Sequence, residues 1–213
     1  AQPEDTKVTE TYVKSNGKYE KNGRKVEYIY APADMHLFPR MWDQSNDQGH
    51  ADYYANWMGI GKDQQGVWER APTMGENIKF AMSYQVGWMY MRYFMWNFAG
   101  KQNDVQGMGS VRDGNWISGI SFIDNKRLGD QSLLPDSIKD NKANNKLFML
   151  PFILGIIGCV YQYLKNRKDW IVSFLLFFFT GIAVVLYLNQ PGNQPRERDY
   201  AFVGSFYAFA IWI

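Results

Sequence analysis

Four consecutive charged residues, Arg196-Glu197-Arg198-Asp199, stand between two apolar stretches, with Gln194-Pro195 before them and Tyr200 after. Charge at a membrane edge is costly and is kept where it faces a cavity, a partner or a ligand. A guanidinium matches phosphate oxygens through paired N–H donors and keeps its charge in poorly hydrated surroundings, so Arg196 and Arg198 can clamp a phosphate. Glu197 and Asp199 would then orient the arginines or meet a sugar hydroxyl, with Tyr200 beside them. The competing reading is a self-neutralising ion-pair cluster in a loop pinned by Pro191 and Pro195. Arg92, inside an aromatic stretch, is a further phosphate candidate or a snorkelling side chain at an interface. Asn97, Asn103, Asp104, Asn115 and Trp116 offer amides, a carboxylate and an indole face, groups suited to sugar hydroxyls and rings. Asn, Asp and Gly also serve turns for backbone reasons, so both readings stand for these positions.

Other chemistries find little support. His36 and His50 have no second His or Cys at ligand spacing, and the neighbouring Asp47, His50 and Asp52 do not complete a metal pattern, so no metal is expected. There is no phosphate-cradling glycine loop, nucleophile elbow or dinucleotide fingerprint. A net charge of +2 without a basic stripe gives no case for nucleic acid. The single Cys159 precludes a disulfide within the chain and suits packing.

The elements that must position these groups follow from local pattern. Residues 1–30 alternate as β structure, and Asn16-Gly17 and Asn22-Gly23 are both hairpin-turn dipeptides. A short helix is expected over 47–60. A longer one over 77–98 has Thr73 and Glu76 at capping-box spacing ahead of it and lies on the membrane or is buried in the domain. A mean hydropathy of −0.39 hides an uneven chain: residues 1–146 carry 18 basic and 18 acidic residues, residues 147–213 only 5 and 3. The expected fold is a mainly α membrane protein fragment. A mixed α+β extramembrane domain (1–146) would precede two complete transmembrane helices, 147–164 and 170–188, and the start of a third at 200–213. Because the chain stops at Ile213 within an apolar run, the expectation is a piece of a larger protein. The turn Lys165-Asn166-Arg167-Lys168-Asp169 marks the cytoplasmic side, which puts residues 1–146 and the 189–199 loop on the opposite face. The lysines at 139–146 argue for the reverse. Gly155 and Gly158 suit close helix packing.

Several strings carry a resemblance: Leu37-Phe38-Pro39-Arg40-Met41-Trp42, Tyr90 to Asp104, Gly114-Asn115-Trp116-Ile117-Ser118-Gly119, Tyr187-Leu188-Asn189-Gln190 and Gln194 to Trp212. They resemble the large Bacteroidetes membrane proteins of the DUF2723 family, related to protein O-mannosyltransferases and grouped with the GT-C glycosyltransferases. The resemblance implies a bacterial inner-membrane enzyme that moves a sugar from a polyprenyl-phosphate carrier to a periplasmic protein. Membrane lipid, lipid-linked donor and protein acceptor would be its partners, with no cofactor required by the sequence. It implies a catalytic carboxylate outside this stretch, so the stretch alone would be inactive. The expectation that Arg196 and Arg198, and more weakly Arg92, hold the carrier phosphate comes from their guanidinium chemistry and their place at the membrane edge, not from the resemblance. Two rivals remain open: a non-enzymatic membrane scaffold of an envelope complex, and a transporter fragment for lipid-linked sugar.

Overall fold

A computed structural model of the chain describes residues 5–15, 17–30, 32, 35, 37–40, 48–193 and 198–213, in two units, Ala1–Pro39 and Arg40–Ile213. In the first, strands β1 (Asp5–Ser15) and β2 (Lys18–Ile29) form an antiparallel hairpin. Ser15 pairs with Lys18, and Gly17 takes φ +78°, a conformation that glycine reaches without strain. Asn22-Gly23, expected as a turn, is instead a bulge. Thr11 pairs with Gly23 and Tyr12 with Lys21, leaving Asn22 as the extra residue. The described side chains on both faces of the hairpin are exposed or nearly so.

The second unit begins with α1 (Gln48–Met58). A helical spine follows, built from α2 (Met74–Phe80), a π-helical segment (Ala81–Met91) and α3 (Arg92–Phe98). Thr73 and Glu76 form a capping box at its start. Beyond the spine come β3 (Gly100–Lys101), α4 (Ser121–Leu128), a 3₁₀ turn (Gln131–Leu133), α5 (Asp136–Lys139) and β4 (Asn145–Lys146), which pairs antiparallel with β3. The chain then runs through α6 (Leu150–Lys165), α7 (Arg167–Thr180), α8 (Ile182–Leu188), a 3₁₀ turn (Asp199–Phe202) and α9 (Val203–Ala210).

The spine buries a different apolar neighbour along each part of its length. Phe80, Tyr84 and Met89 pack with Tyr54 and Ala55 of α1. Tyr90 and Tyr93 meet Val185 of α8 and Phe202. Phe94 and Phe98 enter an aromatic cluster with Phe152, Phe177, Phe206 and Phe209. An apolar surface all round the helix is therefore used against protein on several sides. Cys159 sits partly buried in the last cluster, where the Trp170 indole donates to its Sγ at 3.2 Å.

The structure departs from the fold expected from the sequence. The molecule is a mixed helix-and-sheet structure with two small two-stranded sheets among its described residues, not a mainly α fold with two complete transmembrane helices and the start of a third. Phe148 and Met149 take left-handed backbone angles, φ +52° and +57°, so α6 starts only at Leu150. Its 16 residues make about 24 Å of helix against the ~30 Å of a bilayer core. Among the described residues one helix, Arg167–Leu188, is long and apolar enough to cross a membrane; it covers 22 residues and includes α7 and α8. After Asn189 the described chain resumes helical structure only with the 3₁₀ turn and the eight-residue α9.

Candidate functional site

The π-helical segment places Ser83, Gly87 and Trp88 on one side of a cleft of about 180 Å³, with Arg92 one turn further on. Trp57 of α1, Asn115 and Trp116 of the loop after β3, and Arg127 of α4 complete the lining. π-Helical turns inside α-helices recur at functional sites, where the widened turn re-aims side chains. Gly87 adds no side chain to the lining, and Ser83 donates to the Lys79 carbonyl (2.7 Å) while accepting the Trp57 indole N–H (2.9 Å).

Both arginines are stacked on rings. The Arg92 Cζ lies 4.2 Å from the ring centroids of Trp88 and Tyr93 and 4.7 Å from Trp96. Its Nε donates to the Trp88 carbonyl (3.0 Å) and its Nη1 to the Gly114 carbonyl (2.9 Å). Arg127 lies 3.6 Å above the Trp116 ring and donates through Nη2 to the Trp116 carbonyl. Its Nε is buried and has no hydrogen-bond partner among the described residues. Burial pushes this guanidinium down from its ordinary value, while the charge of Asp124 acts the other way. Stacking a guanidinium on an indole holds its plane and leaves its N–H edge for an in-plane acceptor.

A polar framework stands behind the cleft. Asn103 Oδ1 accepts from the backbone N–H of Gly114 (2.8 Å) and Val105 (3.2 Å), which fixes the turn whose carbonyl receives Arg92. Gly114 has φ +69°, and a Cβ there would lie 2.6 Å from the Val105 carbonyl oxygen, so only glycine fits. Asp124 accepts from Ser118 N–H (2.8 Å), Ser118 Oγ (3.0 Å) and Gly119 N–H (2.8 Å), tying the start of α4 to the loop that carries Trp116.

Of the residues singled out in the sequence, the cleft brings together Arg92, Asn115 and Trp116, with Asn103 behind them. Arg198, Asp199 and Tyr200 are exposed and are not among the lining residues. Asn97 is exposed and donates to the Tyr93 carbonyl (2.8 Å); Asp104 is exposed and accepts from Asn141 (3.2 Å). Arg196 and Glu197 lie outside the described residues, as do His36 and Asp47. No cluster of metal-binding groups occurs among the described residues. Sequence reasoning missed Arg127, Trp57, Trp88, Ser83 and Gly87. Trp88 and Arg92 stand four apart on a helix, a readable cation–aromatic spacing. Arg127 and Trp116 share no local period, and only the loop's path joins them.

Comparison with known proteins overturns the resemblance described above. The family model that matches is not DUF2723, and its match reaches only one of the quoted strings, Leu37 to Trp42. The structure accounts for other quoted residues locally: Tyr90, Tyr93, Phe94 and Phe98 pack the spine, while Gly114 makes a tight turn. No curated protein and no solved structure matches the chain. What residues 1–82 are similar to is a family of unknown function, DUF8416.

Proposed function

We propose that this chain binds a phosphorylated sugar carried on a membrane lipid, as the donor-handling part of a glycosyltransferase that passes the sugar to a protein. The observation that carries this reading is the meeting of two guanidiniums, three indoles and an amide in one cleft with no acidic residue among its described lining. A phosphate accepts from the guanidinium edges, an indole face suits the apolar side of a sugar ring, and the amide suits a hydroxyl. The same cations would stabilise charge on a departing phosphate. The base for the acceptor hydroxyl must come from outside this lining.

A membrane location is supported by the helix Arg167–Leu188, of whose most apolar window only 11% is buried. Ile153, Ile157 and Leu164 of α6 and Val203 and Tyr207 of α9 are exposed as well. In this reading the basic turn around Arg167 is cytoplasmic, and residues 1–146 and the 189–199 loop are periplasmic. One observation favours a scaffold instead: Arg92 is 2% exposed and bonded to two backbone carbonyls, as a structural post would be.

The test uses the full chain in lipid nanodiscs, titrated with a short-chain polyprenyl-phosphate hexose and followed by indole fluorescence. Saturable quenching is expected, with affinity at least about tenfold weaker in Arg127→Ala, the loss of a charge-assisted hydrogen bond. Arg196→Ala and Arg198→Ala report whether the charged loop contributes. Unchanged affinity in Arg127→Ala overturns the assignment of the cleft, and the absence of any quenching favours the scaffold.

A further inference from the structure

Asn115 is 7% exposed, lines the cleft and has its amide orientation dictated by its neighbours. Its Nδ2 donates to Ser110 O (2.8 Å), Asp113 O (3.0 Å) and Gln102 Oε1 (3.1 Å). Reversing the amide would set Oδ1 against three acceptors, so the surroundings admit one orientation. Gln102 is locked in turn. Its Oε1 also accepts the Asn115 backbone N–H (3.3 Å), and its Nε2 donates to Gln131 Oε1 (3.0 Å). Gln131 Nε2 then donates to the carbonyls of Gly129 (3.1 Å) and Leu128 (3.5 Å), immediately after Arg127. A relay of oriented amides thus runs from the end of α4 to the cleft.

This relay uses the donor side of Asn115 entirely within the protein. Oδ1 accepts no hydrogen bond among the described residues, which leaves it as the amide atom available to a ligand. The charged groups of the cleft, Arg92 and Arg127, are donors. We propose that Asn115 Oδ1 is the acceptor that reads a sugar hydroxyl next to the anionic group, so that the cleft selects a phosphorylated polyol over bare phosphate. The inference rests on the reading that an anion occupies this cleft, and it gives one atom of the lining amide the task of discriminating among anions. A bound hydroxyl donates its proton to Oδ1. A deoxy ligand leaves that oxygen dehydrated and unpaired, a cost the cleft can impose on no ligand that carries the hydroxyl.

The experiment is calorimetric titration of the full detergent-solubilised chain with inorganic phosphate, hexose 1-phosphate and the monodeoxy hexose 1-phosphates. The wild-type comparison needs no substitution, so it stands even if variants fold poorly. Expected is tighter binding of hexose 1-phosphate than of phosphate, with one deoxy analogue weaker by about tenfold. Asn115→Ala, checked for folding by near-ultraviolet circular dichroism, should abolish that difference while phosphate still binds. Equal affinity for hexose 1-phosphate and all its deoxy analogues, with Arg127→Ala weakening them all, overturns this inference and leaves the phosphate reading in place. Binding of no phosphate compound, or binding indifferent to Arg127→Ala, overturns both.

Discussion

Glu76 shows how much one residue's surroundings can do. The Arg70 guanidinium donates to its carboxylate (2.6 Å), and the Thr73 N–H (2.8 Å) and hydroxyl (2.9 Å) donate as well. These hold its carboxyl at about 2, below the ordinary 4.5, with the Arg70 hydrogen bond the largest cause. Because the folded value is depressed, the stabilisation is fully present above the unfolded value and is lost as pH falls toward 2. Denaturation of wild type and Glu76→Gln across pH 2–7 should show a constant gap above pH 5 that closes on acidification. A gap independent of pH would mean that the ion pair contributes nothing. Arg92 poses the opposite case, a charge held by carbonyls and rings. Arg92→Met should destabilise the fold by about 2–3 kcal/mol by removing the charge-assisted hydrogen bonds to the Trp88 and Gly114 carbonyls, measurable by chemical denaturation. The Thr73–Glu76 box was legible because its partners are three apart. The Arg92–Gly114 bond was not, since it joins residues 22 apart.

At the scale of elements, the glycines of α6 decide how closely helices approach. A Cβ on Gly155 would lie 2.4 Å from the Phe209 ring, and one on Gly158 only 1.8 Å from the Trp212 carbonyl oxygen. Gly155→Val should therefore push α6 from α9 and cost about 1–3 kcal/mol, read as a lowered denaturation midpoint. No change would show that the two helices separate without penalty. The spacing of these glycines suggested close packing before any partner was visible, yet nothing local in the sequence identified α9 as that partner. The π-helical segment is a second element the sequence did not signal. Its residues fit an ordinary helical pattern, and the geometry that puts Ser83, Trp88 and Arg92 around one cleft emerges only with the fold.

For the whole molecule, the question is what the outward apolar side chains of α6, α7 and α9 face. If lipid covers them, the full chain expressed in bacteria should remain in the membrane pellet after alkaline carbonate extraction. A charge at an exposed site of the candidate spanning helix, such as Leu175→Asp, should reduce that fraction, at about 2.5–3.5 kcal/mol for a carboxylate in the bilayer centre. Release of the wild-type chain by carbonate would mean that protein, not lipid, covers this surface.

Composition and short-range spacing determined a good deal by themselves: an N-terminal hairpin, a capped aromatic helix and an apolar C-terminal third. All of these depend on neighbours within a few positions, where sequence distance and spatial distance agree. Tertiary structure alone decided that the second Asn-Gly is a bulge, because its role depends on the partner strand. It decided that α6 begins too late to span, because two left-handed residues delay it. It also decided that Arg127 joins Arg92 across a cleft, while the exposed Arg198, the sequence's own favourite among the described residues, does not line it. Charge density along a chain shows where ligand-binding groups are plentiful. Which of them converge is set by loop paths and packing, and no local pattern records those.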